Sequence, residues 1–176
     1  PRAKGTEGER MSMEADSIYS GASEKDILIS LEENDRGDTC KITLSPKRRF
    51  CTYRLKIINI ANQQNLSSSI AGSISGLAGG INLSTGEKTE AKVTVPFAVG
   101  TKNESTLEGQ LRCYGNSPSE DAANYLVIYT MLKDGTKWCY IYDVTKQIKE
   151  APNPYEVEIV LDKLPVPTKI GGNSGF

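Results

Sequence analysis

Residues 124–167 read NYLVIYTMLKDGTKWCYIYDVTKQIKEAPNPYEVEIVLDKLPVP. Two strand-like runs, Tyr125–Leu132 and Lys137–Tyr142, flank Asp134-Gly135. Asp-Gly between apolar runs signals a hairpin, because both residues tolerate the positive φ that a tight turn requires. A short helical turn is expected over Val144–Lys149. Asp143 is placed to cap it, Val144 and Ile148 form an i,i+4 apolar pair, and Ala151-Pro152 ends it. A third run, Tyr155–Leu161, alternates apolar and polar residues and stops before Pro165 and Pro167. The stretch predicts an antiparallel β-protein and holds nothing that looks catalytic.

The same signals recur along the rest of the chain. Phe50–Ile60 alternates most clearly: Cys51, Tyr53, Leu55 and Ile57 fall on one face, with Thr52, Arg54 and Lys56 on the other. That pattern fits a sheet with one dry and one wet side. Ile27–Leu31, Cys40–Leu44, Ala91–Phe97 and Leu107–Cys113 read as further strands, and Leu66–Ile74 as a weaker, serine-rich one. Roughly nine short strands separated by turns predict an all-β fold, an antiparallel β-sandwich of roughly seven to nine strands. Residues 1–26 read as an irregular linker from a longer parent, and residues 27–176 as a single sandwich domain.

Composition excludes several functions. The chain has 176 residues and a net charge of −1, with 21 basic against 22 acidic side chains interspersed. No basic surface for nucleic acid is expected, and no apolar run approaches the ~20 residues of a spanning helix. Histidine is absent, which removes Ser-His-Asp and Cys-His catalysis, histidine metal sites and imidazole proton shuttles. No nucleophile–base pair can be named, so no catalytic residue, cofactor or metal is expected and the chain reads as a non-enzyme. Cys40, Cys51, Cys113 and Cys139 form no CxxC pair. Each keeps step with apolar neighbours and reads as a buried thiol, although an even count also permits two disulfides.

Three motifs invite chemistry. Ala71–Gly80 (AGSISGLAGG) followed by Gly86-Glu87-Lys88-Thr89 suggests a phosphate loop, but Glu87 stands where the lysine belongs and would repel the anion. The glycines instead imply close packing or a surface loop. Glu32, Glu33, Asp35 and Asp38 lack the order of a calcium loop and read as a solvated turn. Trp138, Tyr140 and Tyr142 share one face of a strand. Cross-strand packing is the simpler role for them, with a glycan-stacking platform as the functional alternative.

Several stretches taken together carry a resemblance: PRAKGTEGER, CTYRLKIINIANQ, IAGSISGLAGGINLSTG, VTVPFAV, LEGQLRCYGNSP, NYLVIYTMLKDGTKWCYIYDVTKQI and VEIVLDKLPVP, with GG..GF at the end. In order and spacing they resemble a family of Bacteroides-type fimbrillin-like surface lipoproteins, related to the fimbrillin-A-associated anchor proteins, over nearly all of residues 1–176. The resemblance implies the C-terminal of two transthyretin-like β-sandwich domains. It also implies a place at the cell surface or outer membrane, in a fimbrium or adhesin. Membrane attachment would come only through the lipid anchor of a preceding domain. The implied partners are other fimbrial or pilin-like subunits, with a host or glycan surface as a further one. Relatives continue past Gly175-Phe176 into another strand, so an open sheet edge is expected, a template for a partner's strand. Ile27, Ile29 and Leu31, and Tyr155, Val157, Ile159 and Leu161, are the candidate edges. Glu156 and Glu158 beside the second set would instead guard it from unwanted pairing. Asp16-Ser17-Ile18 fits the short O-glycosylation pattern of such bacteria, which makes Ser17 a candidate acceptor.

Overall fold

The computed structural model describes residues 3–21 and 44–168. The candidate edge Ile27, Ile29 and Leu31, the acidic turn, and Cys40 lie outside the described residues. In chain order the strands are β1 (Arg10–Met11), β2 (Tyr19–Ser20), β3 (Lys47–Arg48), β4 (Cys51–Ile58), β5 (Ala71–Ala78), β6 (Lys92–Asn103), β7 (Thr106–Cys113), β8 (Tyr125–Met131), β9 (Lys137–Asp143) and β10 (Glu156–Asp162). A short α-helix, α1 (Thr145–Lys149), links β9 to β10, and a 3-10 turn at Gln63–Asn65 lies between β4 and β5.

The strands lie in the order β10-β4-β7-β6-β5-β8-β9, with β1 beside β6 and a separate β2–β3 pair. Strand β6 serves both layers of the sandwich. Its first half pairs antiparallel with β5, through contacts such as Val95 with Ile74. Its second half pairs antiparallel with β7, Val99 opposite Gly109. One layer is therefore β10-β4-β7 with the end of β6, and the other is the start of β6 with β5, β8 and β9. Between them lies the core, with Leu55, Ile57, Leu111 and Ile159 from the first layer and Ile74, Leu77, Leu126 and Ile128 from the second. The expected β-sandwich is thus present, with two parallel pairings inside it: β10 with β4 and β1 with β6.

The period-two reading of β4 is realised: Cys51, Tyr53, Leu55 and Ile57 are buried and Arg54 is exposed. The glycine-rich stretch departs from a surface loop and forms β5, a central strand between β6 and β8. Its glycines accept large neighbours. A Cβ on Gly72 would lie 2.5 Å from Phe97 Cζ, and one on Gly109 2.8 Å from Phe97 Cε2. The Phe97 ring therefore occupies a slot that only hydrogen at both positions leaves open. Gly76, at φ +73°, sits in the irregularity between Ile74 and Leu77, with the Ala123 carbonyl directly over its missing side chain.

The opening residues, read from sequence as irregular linker, lie against the sheet. The Ser12 N–H donates to the Thr94 carbonyl and the Ala15 N–H to the Arg112 carbonyl, both at 2.9 Å. The segment thus fills the cleft that opens where β6 leaves β7. One carboxylate oxygen of Glu9 accepts from the Gly76 N–H and the Thr94 hydroxyl, each at 3.0 Å. Ala3, Thr6 and Ala15 of the same segment are buried.

At α1, Val144 and Ile148 are both buried, as their i,i+4 spacing suggests. The cap differs in detail from expectation. Val144 holds the N-cap position without a side-chain bond, while the Asp143 carboxylate accepts from the Thr145 N–H at 3.0 Å.

Candidate functional site

Among the described residues, strand β10 closes one end of the first layer and is bonded to a single strand, β4. The parallel ladder determines which main-chain groups remain. The Tyr155 carbonyl accepts from the Thr52 N–H and the Lys163 N–H donates to the Ile58 carbonyl. Alternation along a strand then turns the groups of Val157, Ile159 and Leu161 towards β4 and those of Glu156, Glu158, Val160 and Asp162 outward. Val157 and Ile159 are also buried in side chain, and Leu161 packs partly against the core. Of the residues singled out from sequence, Val157, Ile159 and Leu161 are on this strand and anchor it, while Tyr155 lies in the turn before it. The outward-facing groups belong to the alternate set. Sequence alternation reveals which side chains are dry, and it carries no information about which side of the strand is bonded.

Two devices hold this edge. The Gln147 amide on α1 acts as a single strand residue: its Oε1 accepts from the Val160 N–H at 2.9 Å and its Nε2 donates to the Val160 carbonyl at 3.2 Å. At the other end, Glu156 accepts from Arg48 Nη1 and Arg54 Nη1, each at 2.5 Å. Those hydrogen bonds, Arg48 first, hold the Glu156 carboxyl below the usual carboxylate range. Arg48 also stacks on Phe50, 4.2 Å from the ring centroid, and Phe50 meets Tyr19 edge-on at 5.7 Å. The β2–β3 pair is thereby tied to the start of β10. No sequence pattern announces Gln147, which sits in an ordinary polar helical turn.

Among the described residues, strand β9 ends the second layer. Trp138, Tyr140 and Tyr142 share a face but not an environment. Tyr140 is buried, and its hydroxyl donates to the Pro165 carbonyl at 3.2 Å. Tyr142 packs partly into the core, and Trp138 is 43% exposed. A stacking platform needs open ring faces, and of the three only Trp138 offers much of one. On the outer side, Ala71, Tyr129, Met131, Lys137 and Cys139 border with Trp138 a mostly apolar groove of 510 Å³.

Ser17 is exposed, and its hydroxyl accepts from Arg112 Nη1 at 2.7 Å. Cys51, Cys113 and Cys139 are free thiols. Cys51 and Cys113 face each other across β4 and β7, and burial pushes the Cys113 thiol up to about 12. Among the described residues, no group of three or more Cys, Asp or Glu side chains is placed to hold a metal ion. No described helix is long and apolar enough to cross a membrane.

Comparison with known proteins places this geometry. No curated protein matches the chain. Among solved structures, a candidate adhesin from Bacteroides ovatus is similar with a TM-score of 0.59 at 18% identity, over 89% of this chain and 62% of that one. The fimbrial anchor protein Mfa2 from Porphyromonas gingivalis matches with a TM-score of 0.43 at 14% identity, over 76% of this chain and 48% of that one. The first likeness shows a shared fold, and the second is too loose to carry an argument. The chain spans less than two thirds of the length of either structure. A family model, described as a domain of unknown function (DUF5119), matches residues 1–98, more than half of the sequence. The chain belongs to the DUF5119 family.

Proposed function

We propose that this chain is a non-enzymatic structural domain of a fimbria- or adhesin-like assembly at the cell surface, joined to partner subunits by strand pairing along β10. The observation that carries the reading is that, among the described residues, β10 is bonded on one side, with outward main-chain groups that include the Glu158 N–H and carbonyl. An extended segment laid there gains main-chain hydrogen bonds on a rigid ladder. The likeness in fold to a candidate adhesin supports the class of assembly. On this reading the sandwich, with the opening residues packed into it, is one domain of a longer surface lipoprotein anchored by lipid in another portion, and the partners are fimbrial or pilin-like subunits. Gln147 then acts as a stopper, occupying the Val160 groups until a partner's strand replaces it.

The test is Glu158→Pro. The Glu158 N–H points away from β4, so proline there removes no ladder bond but blocks an incoming strand. The variant keeps the wild-type fold by circular dichroism, while its co-sedimentation with filaments sheared from the native cell surface falls about tenfold or more. Undiminished co-sedimentation would exclude β10 as the joining edge. A tryptophan emission shift on adding oligosaccharides would favour glycan binding at Trp138 instead.

A further inference from the structure

We infer that β9 is a self-association edge: two copies of this chain pair antiparallel through it about a two-fold axis at Tyr140. The inference is independent of the reading for β10, which lies at the far end of the other layer. On its inner side β9 is bonded to β8. The Leu132 N–H donates to the Thr136 carbonyl and the Val144 N–H to the Asn124 carbonyl, so the even-numbered residues from 136 to 144 face β8. The main-chain groups of Lys137, Cys139, Ile141 and Asp143 then point outward, and the described sheet ends there.

The side chains identify the occupant. Edge strands ordinarily discourage pairing with charge, yet this one exposes Ile141 (47%) and Trp138 (43%) along its length. Its charges are one Lys and one Asp at opposite ends, both exposed. With the axis at Tyr140, every outward residue meets an outward residue, as an antiparallel ladder demands. Lys137 falls opposite Asp143 of the second copy, twice by symmetry, and Cys139 falls opposite Ile141. On the other face Trp138 falls opposite Tyr142, and the two Tyr140 residues meet at the axis. These inner positions are the closely spaced, non-hydrogen-bonded pairs in which aromatic cross-strand contacts are strongest. Moving the axis by one residue either way sets Lys137 opposite Ile141, or opposite Thr145 in the helix. Moving it by half a residue sets outward groups against inward ones. The register about Tyr140 thus satisfies charge, aromatic and main-chain requirements together, and an isologous interface needs that self-complementarity.

Sedimentation equilibrium of the whole chain, in reductant so that thiol cross-links do not contribute, tests this. The wild type associates reversibly to a dimer between micromolar and millimolar concentration. Lys137→Glu sets two like-charge pairs across the interface and raises the dissociation constant about tenfold or more. The double variant Lys137→Glu with Asp143→Lys restores dimerisation. Because Asp143 also bonds the Thr145 N–H, Ile141→Lys provides a second variant that leaves that bond intact, and it too dissociates the dimer. A wild type that stays monomeric throughout overturns the inference. So does a dimer indifferent to Lys137→Glu and Ile141→Lys, or a folded double variant that is not restored. Glu158→Pro leaves this dimer unchanged, which separates failure here from failure of the β10 reading.

Discussion

Gly76 and Gly135 both adopt positive φ, +73° and +88°, but their surroundings differ. At Gly76 a methyl group would strike the Ala123 carbonyl and lie 3.0 Å from Asn124 Nδ2, while at Gly135 nothing lies within 4 Å. Asn124 is fully buried there, donating to the Ser75 carbonyl at 3.0 Å and to Asn116 Oδ1 at 2.7 Å. Substitution of the two glycines therefore separates backbone strain from collision. Gly135→Ala costs about 1 kcal/mol, the strain of a left-handed residue alone. Gly76→Ala costs about 3 kcal/mol or more, because the backbone contact adds to that strain. Denaturant midpoints of both variants check the order, and equal losses would remove the collision at Gly76. At this scale the sequence is partly legible. Asp134-Gly135 marks its turn by composition, whereas Gly76 matters because of a carbonyl nearly fifty residues away.

The strands from β6 onward follow from alternation and turn residues, and β8, β9, β10 and α1 fall close to their expected limits. The glycine-rich β5 does not, since its two large apolar residues, Ile74 and Leu77, are three apart across an irregularity and its place in the sheet depends on the Phe97 ring from β6. The N-terminal segment is similarly opaque. It is polar in sequence and held by main-chain bonds to Thr94 and Arg112, which leave no side-chain signature. Electrostatics at the start of β10 makes a prediction at this scale. The bonds from Arg48 and Arg54 depress the Glu156 carboxyl in the folded chain. A depressed carboxyl contributes stability that is fully present above its unfolded value and lost as pH falls through its folded one. Wild type is therefore more stable than Glu156→Gln at neutral pH, and the advantage shrinks as the solution is acidified through the carboxylate range. Denaturant midpoints at a series of pH values check this. An advantage that does not change with pH would show that Arg48 and Arg54 act through packing.

As a whole, the described residues form a sandwich with one strand shared between its layers and a strand bonded on one side at either end of the path. The edges are where its function is proposed to lie: β10 towards other subunits and β9 towards a second copy. The most direct measurement is amide hydrogen exchange at single-residue resolution, on the free chain and on the chain assembled into filaments. With strand pairing along β10, the Glu158 amide, outward on β10, exchanges quickly when free and slows about a hundredfold or more on assembly. The Ile159 amide, turned towards β4, is protected in both states. A Glu158 amide that exchanges equally fast in the assembled state would contradict strand pairing at this edge.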